Sequence, residues 1–371
     1  MIRLTIPSLE EDDFQAVRDV LSTGYLVQGP SVAAFEADLA SYLGVNHAIA
    51  VSNCTAALHL SLLALGVGRG DFVAVTAYSW PASANVIVLC GAEPVFVDID
   101  PATYNMAPAA LEQAFSRQPL KAVMPVHTFG NMADMPRIIE IAEKHEVPVV
   151  EDAACALGAE MHDRRAGAWG AMGCFSFHPR KAITTGEGGL IVTQDASLAR
   201  TVRILRNHGV DPDSPAPDFV AAGYNLRMTE FQGALGRSQF RKLERIIAAR
   251  QAAAERYNTL LSSTPLQLPK PQCGSRHIYQ SYSPLLPRAL APERGEIIRR
   301  LREDGIESTI GTYAIPFITF YRKRGGYVPE QFPATADVAS RALTLPLHEF
   351  LTMSEQHTVV DALRSALETP C

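Results

Sequence analysis

From residue 46 to about 193 the chain alternates short, continuous apolar runs with helical patterns. The runs are His47–Val51, Phe72–Val75, Pro94–Val97, Ala122–Pro125 and Val147–Val150. Runs this short, apolar at successive positions, suit strands covered on both faces, as in a parallel sheet. Between them helices are predicted over 55–65, 80–90, 108–116 and 134–145, the first closed by Gly66. Strand and helix in repetition predict an α/β layer fold with a mostly parallel central sheet between helices.

Two helices are expected ahead of this block: one from Ser8, with Glu11 completing a capping box, and one over 31–43 ended by Gly44. A long helix is predicted over 229–262, with Phe231, Leu235, Phe240, Leu243 and Ile247 on its apolar stripe. The texture then changes at Thr264-Pro-Leu-Gln-Leu-Pro-Lys-Pro, which places a domain boundary there. An N-terminal arm and large domain (1–263) would precede a smaller C-terminal α+β domain (264–371), with a strand near 278–286 and helices near 292–304, 334–341 and 354–367.

Composition narrows the function classes. The 371 residues are 47% hydrophobic and 19% charged, as in ordinary globular proteins. Lys+Arg 33 against Asp+Glu 39 gives a net charge of −6, so no positive field gathers nucleic acid or anionic lipid. Cys54, Cys90, Cys155, Cys174, Cys273 and Cys371 are dispersed without a C-x-x-C pair and read as reduced thiols. The N-terminal sequence lacks the features of a signal peptide, and no apolar run reaches a membrane-spanning length, so a cytoplasmic protein is expected.

H-E-x-x-H, G-x-S-x-G, Walker and S-x-x-K motifs are absent, and Gly66-Val-Gly-Arg-Gly70-Asp reads as a turn. Three other segments carry chemistry. Val147-Pro-Val-Val-Glu151-Asp152 is a buried strand ending in two acids at its carboxyl end, where open α/β sheets place ligands; one of the two is expected to face a site. In Phe175-Ser176-Phe-His178-Pro-Arg-Lys181, followed by Thr-Gly186-Glu-Gly-Gly189, a strand leads to a hydroxyl, a lysine and a glycine-rich turn. A lysine in a water-poor pocket can lose its proton and attack aldehydes. At Val51-Ser-Asn53-Cys-Thr55-Ala56 a strand breaks and a helix begins, and free backbone N–H groups there favour a phosphate. With the aromatic Trp80 at a strand-to-helix turn, these are the parts that pyridoxal 5′-phosphate (PLP) needs.

The segments Ser52–Leu58, Gly91–Asp98, Pro125–Gly130, Glu151-Asp-Ala-Ala, Phe175–Lys181, Arg206-Asn-His-Gly209 and Gly223–Met228 closely resemble, in order, the PLP-dependent sugar aminotransferases of the DegT/StrS family. The resemblance runs from Gly29-Pro30 to Leu345-Pro-Leu347. It implies the fold type I aminotransferase architecture and a homodimer with active sites at the subunit interface. Position by position, it implies Lys181 as the Schiff-base lysine and proton shuttle, and Asp152 as the partner of the pyridine nitrogen. Trp80 matches the aromatic stacked on the ring, Thr55, Ala56 and Ser176 the phosphate cup, and Asn225 the asparagine given to the neighbouring subunit's phosphate. Lysine rather than histidine at 181 argues against the similar dehydratase branch.

Two positions depart from the family pattern. Cys155 stands where Gln or His commonly faces the cofactor's phenolic oxygen. Gly311-Thr-Tyr313-Ala-Ile-Pro316 lacks the histidines of a Tyr-Pro-x-Pro-x-His pattern, which leaves the acceptor's identity open. His59 and Met124 read as core, Arg237–Arg250 as a solvated or interfacial helix face, Arg322-Lys-Arg324 as an exposed loop, and Asp211–Asp218 as a mobile loop near the substrate entrance. The activity expected is transfer of an amino group from an amino acid, L-glutamate foremost, to a keto-sugar linked to a nucleotide. A cyclitol or other non-nucleotide ketone is the alternative acceptor, and a non-catalytic PLP-binding regulatory protein the alternative class.

Overall fold

The computed structural model describes residues 1–368. Seven strands form the centre: β1 (His47–Val51), β2 (Phe72–Thr76), β3 (Glu93–Val97), β4 (Leu120–Met124), β5 (Val150–Asp152), β6 (Met172–Ser176) and β7 (Gly189–Thr193). Their order is β3-β2-β4-β5-β6-β7-β1. The β2·β3, β2·β4 and β5·β6 ladders are parallel, and isolated parallel bridges Val123–Val149 and Val126–Asp152 join β4 to β5. Only β7 runs against its neighbours β6 and β1. The sheet is thus mostly parallel, as the apolar runs predict.

Alternation along the strands splits the interior into two layers. Ala48, Ala50 and Ala74 face a core with Phe35, Leu39, Ile138 and Phe177. Ile49, Val51, Val73 and Val75 face a second core with Leu58, Leu60, Val86 and Val202. The first layer is supplied by α2 (Pro30–Leu43), α5 (Pro108–Arg117) and α6 (Met135–Lys144); the second by α3 (Cys54–Ala64), α4 (Ala82–Leu89) and α7 (Ala196–Arg206). Leu58, Leu60 and Leu62 of α3 are buried, at about 1.5–3 kcal/mol each.

Four details before residue 264 differ from the sequence reading. Helix α1 (Glu11–Thr23) starts later than Ser8, and its box partner is Asp13, which accepts from the Glu10 N–H at 2.9 Å. Ser8 is buried instead, its carbonyl taking the side chains of Gln239 and Lys242. Those same contacts accompany a break in the long helix into α8 (Glu230–Phe240) and α9 (Leu243–Leu260), because Gln239 and Lys242 both also turn to Asp13. The basic stretch is correspondingly mixed: Arg237 and Arg245 pair with Asp38 and Glu10 at the surface, whereas Arg250 is buried and donates to the Gln280 carbonyl. Helix α7 has no predicted counterpart; its signal is Asp195, whose carboxylate caps Ser197 and Leu198.

The C-terminal part holds α10 (Arg294–Glu303), α11 (Thr319–Gly325), α12 (Pro333–Arg341) and α13 (Met353–Glu368). The segment 278–286 forms no regular strand and joins Leu345 and Ala342 through isolated bridges at Tyr282 and Leu285. Arg322–Arg324 is helical rather than a loop, exposed as expected, with Arg324 paired to Glu93. Tyr282, Ile297, Leu301, Leu345 and Leu363 make a third core, into which α9 sends Ala254 and Tyr257 while its first turns, at Ile246 and Ile247, belong to the first core. Met124 is core, and His59 is half-buried against Tyr224, its pKa lowered by burial. Cys54, Cys90, Cys155, Cys174 and Cys273 are free thiols, and Cys371 lies outside the described residues. No helix among the described residues is long and apolar enough to cross a membrane.

Candidate active site

The carboxyl ends of the parallel strands open into a cavity of about 830 Å³ shared between the central sheet and the C-terminal part. Asp152, Lys181, Cys155, Ser176, Trp80 and Thr55 all line it. The strand pattern alone left open which strand-end acid faces a site, and the family resemblance implied Asp152; strand alternation agrees with the latter. Asp152 points into the cavity at 4% exposure, with Ser83 donating to Oδ2 at 2.7 Å and the Ala154 N–H to Oδ1 at 3.2 Å. Glu151 points away and is wholly buried. Its Oε1 accepts from the N–H groups of Trp169 (2.6 Å) and Gly170 (2.7 Å), and its Oε2 from Gly167 (2.8 Å) and His127 Nε2 (2.9 Å). His127 Nδ1 accepts from the Ala133 N–H at 3.1 Å, so its proton sits on Nε2 and the ring donates to Glu151. Glu151 therefore ties the 167–170 turn to β5 and fixes where Asp152 ends up.

Lys181 sits in a loop that leaves β6 and returns to β7, closed by Phe177 N–H to Gly188 O (2.9 Å), Thr185 N–H to Phe177 O (3.0 Å) and Lys181 N–H to His178 O (2.8 Å). Its Nζ lies 2.9 Å from Cys155 Sγ. Burial pushes the Lys181 ammonium toward losing its proton, but Cys155, Cys54 and Asp152 outweigh it and hold its pKa above the ordinary lysine value. Burial, with Asp152 and Cys174 adding to it, pushes the Cys54 thiol far up.

Helix α3 begins at the cavity wall. Asn53 caps it by accepting the Ala56 N–H at 2.8 Å, so Ala56 spends its donor within the turn and does not line the cavity. Gly189 makes this approach possible: a Cβ there would lie 2.5 Å from the Asn53 carbonyl carbon. Trp80 is 62% exposed, its ring edge-on to Tyr313 at 5.5 Å. The Tyr313-Ala314 pair hydrogen-bonds with Tyr78-Ser79, which brings Gly311 and Thr312 onto the cavity. Asn225 is exposed and lies outside the cavity lining, pairing with Asn207. The Asp211–Asp218 loop also does not line the cavity. Ser83, Arg180 and Gln280 line it without having been singled out in the sequence; a serine in the first turn of a helix at a strand end was the signal for Ser83.

These residues suit a phosphorylated pyridine aldehyde. Asp152 is a buried carboxylate with no ion-pair cation among the described residues, which asks for a protonated ring nitrogen opposite it. A half-buried lysine amine and the start of an α-helix stand in the same cavity.

Comparison with known proteins agrees. Residues 7–364 match the DegT/DnrJ/EryC1/StrS aminotransferase family, and the chain belongs to that family. It is 36% identical over 369 residues to GDP-perosamine synthase of Caulobacter vibrioides, covering 99% of this chain and 98% of the relative. Its structure resembles PseC of Helicobacter pylori, an aminotransferase in pseudoaminic acid biosynthesis, with TM-score 0.93, 27% identity and 99% of each chain covered. It also resembles a Streptococcus pneumoniae protein solved in its PLP form, with TM-score 0.94, 27% identity, and 99% of this chain and 98% of that one covered. The protein is a PLP-dependent aminotransferase of fold type I, with a role in amino-sugar biosynthesis.

Proposed function

We propose that this chain carries an amino group, in two half-reactions, from L-glutamate to a keto-sugar borne on a nucleoside diphosphate, working as a homodimer. Bound PLP supplies an electron sink for the carbanion formed at the donor's α-carbon. The observation that carries the reading is the convergence of Lys181 Nζ, the buried Asp152 carboxylate, which has no ion pair among the described residues, and the start of α3 on one cavity.

Lys181 is the acid–base residue in both halves, where its Nζ would move a proton between the substrate's reacting carbon and the C4′ carbon of the bound cofactor, in opposite directions in the two halves. Cys155, 2.9 Å from Nζ, holds the amine in place between turnovers. Asp152 favours the protonated ring nitrogen, and the 2.7 Å bond from Ser83 keeps the carboxylate aimed. Trp80 offers a flat face to the ring. Thr55 and Ser176 form the phosphate cup, without Ala56, whose N–H is taken by Asn53, and with Asn225 of a second copy closing it; the position of Asn225 outside its own cavity suits that role. A cavity of about 830 Å³ has room for a sugar beyond the reacting centre, and the relative named GDP-perosamine synthase favours the nucleotide-linked acceptor over a free cyclitol. Assay of the pyridoxamine form against nucleotide-linked keto-sugars and free keto-cyclitols tests this. Turnover of the first set is expected; turnover of cyclitols alone would overturn the acceptor.

A further inference from the structure

The wall that the C-terminal part gives to the active-site cavity carries polar groups that the cofactor leaves unused. The wall is continuous. Gln280 leads into the Tyr282–Leu345 bridge, and the Leu347 N–H donates to the Leu4 carbonyl at 3.1 Å, so Leu4, Thr5, Gln280, Leu345 and Leu347 line the cavity as neighbours.

Arg180 is fastened to this wall by its main chain. Its carbonyl accepts the Gln280 side-chain amide, and Gln280 is held in turn by its N–H to the Phe129 carbonyl at 2.8 Å and by Arg250 Nη1 on its own carbonyl at 3.1 Å. The Arg180 N–H donates to His178 Nδ1 at 3.2 Å. The side chain, by contrast, is exposed at the cavity, and its guanidinium makes no hydrogen bond or ion pair among the described residues. On the same wall Thr5 Oγ1 is buried without a partner. The charged residues of the lining are Asp152, Arg180, Lys181 and Glu187. Asp152 is answered by a protonated ring nitrogen and Lys181 is spent on the chemistry. That leaves Arg180 as the cation available to a substrate among the described residues of the lining. An amino acid brings a carboxylate one bond from the carbon whose proton Lys181 moves, and Arg180 is the residue next to Lys181 in the chain. A diphosphate on a sugar stands several bonds farther from its reacting carbon.

We propose that Arg180 receives the amino donor's α-carboxylate, with the Thr5 hydroxyl as a further donor on the same wall; this rests on the reading that an amino acid is the donor. The guanidinium fork matches a carboxylate bidentately. Because the fork is unpaired beforehand, no ion pair has to break when the donor arrives. A carboxylate held there fixes the α-carbon beside Lys181 Nζ, which is what proton transfer at that carbon requires.

The test is calorimetric titration of the PLP-loaded enzyme with 2-methyl-L-glutamate, which has no α-proton to lose and so reports binding without turnover, and with its α-carboxamide. The cofactor's visible band shows that each variant is loaded. The wild type is expected to bind the carboxylate about tenfold to a hundredfold more tightly than the amide, and Arg180→Met to lose that preference while holding the amide within about threefold of wild type. Arg180→Lys, which keeps the charge without the fork, should fall between and serves if the methionine variant loads poorly. Thr5→Val should weaken the carboxylate by less than Arg180→Met does. Both analogues weakened alike in Arg180→Met, or a preference undiminished in both Arg180 variants, would overturn the proposal. If the wild type binds neither analogue and no amino donor bleaches its band, the donor reading falls with it; a band bleached by L-glutamate alongside an unchanged Arg180→Met preference overturns this assignment alone.

Discussion

Glu151 and Asp152 are adjacent acids with opposite assignments, and exchanging each for its amide separates them. In Glu151→Gln the shape is kept, but one oxygen that accepts two N–H bonds becomes an NH2 group facing two donors. Either orientation has this defect: Oε1 receives Trp169 and Gly170, and Oε2 receives Gly167 and His127. His127 cannot relieve it by changing tautomer, because its Nδ1 already accepts from Ala133. At about 1.5–3 kcal/mol for each hydrogen bond to a charged group, two losses cost about 3–6 kcal/mol. That is a large share of the roughly 5–15 kcal/mol that holds a domain together. At roughly 2 °C per kcal/mol for a long chain, the melting midpoint falls by about 6–12 °C. Asp152→Asn keeps an acceptor for Ser83 and removes a buried charge that makes no ion pair among the described residues and meets the Lys181 ammonium only at longer range, so the midpoint of the cofactor-free protein moves by less than about 2 °C. Turnover by this variant falls by about tenfold to a thousandfold, since an opposing charge moves a partner's protonation by 1–3 pH units. The assay is thermal unfolding of both variants without cofactor, followed by the rate of amino transfer. Equal loss of stability in the two, or a stable Glu151→Gln, would show that the strand-end geometry argued above is wrong.

Three further outcomes are expected. Gly189→Ala forces a methyl group against the Asn53 carbonyl, so PLP affinity, measured by equilibrium titration, should weaken at least about tenfold while the protein still folds. Burial lowers the His277 pKa to about 3 from 6.5. The unfolded chain then binds a proton that the native chain refuses, so stability is lost as pH falls from about 6.5 toward 3, at up to roughly 1.4 kcal/mol per pH unit. A plot of melting midpoint against pH should be flatter for His277→Gln over that window; an identical slope refutes the assignment. Among the thiols of the described residues, Cys273 is exposed, while burial raises Cys54 and Cys174 and pushes Cys90 up to about 11. Alkylation of the native protein at pH 8, mapped by mass, should label Cys273 before the other four thiols of the described residues and reach Cys54 and Cys174 only after unfolding.

Much of this was readable before any coordinates, because two-face burial writes itself into the chain as continuous apolar runs. The runs at 47–51, 72–75 and 94–97 became β1, β2 and β3 nearly residue for residue. What was illegible depended on contacts distant in sequence. Nothing local announces that Ser8 is captured by Gln239 and Lys242 more than two hundred residues away, so the start of α1 is misplaced in the sequence reading and the break between α8 and α9 has no counterpart there. The 278–286 segment is apolar enough for a strand but meets its neighbours only at isolated bridges. At the site, residue types pointed to Lys181, Trp80, Thr55, Ser176 and one of two strand-end acids, the family resemblance chose Asp152 and added Cys155, and the fold gathers these six around one cavity. Ser83 and the His127–Glu151 pair stayed hidden, since their roles follow from which way a strand end faces rather than from any motif.

The central claim, that Lys181 carries the chemistry of an aminotransferase, is tested most directly by one combined measurement. The purified holoenzyme's absorption spectrum is recorded before and after L-glutamate, and the untreated sample is reduced with borohydride and its labelled peptide mapped. The account predicts that glutamate bleaches the cofactor's visible band and that reduction fixes the cofactor on Lys181. A spectrum indifferent to every amino donor, or a label on a different lysine, would contradict it.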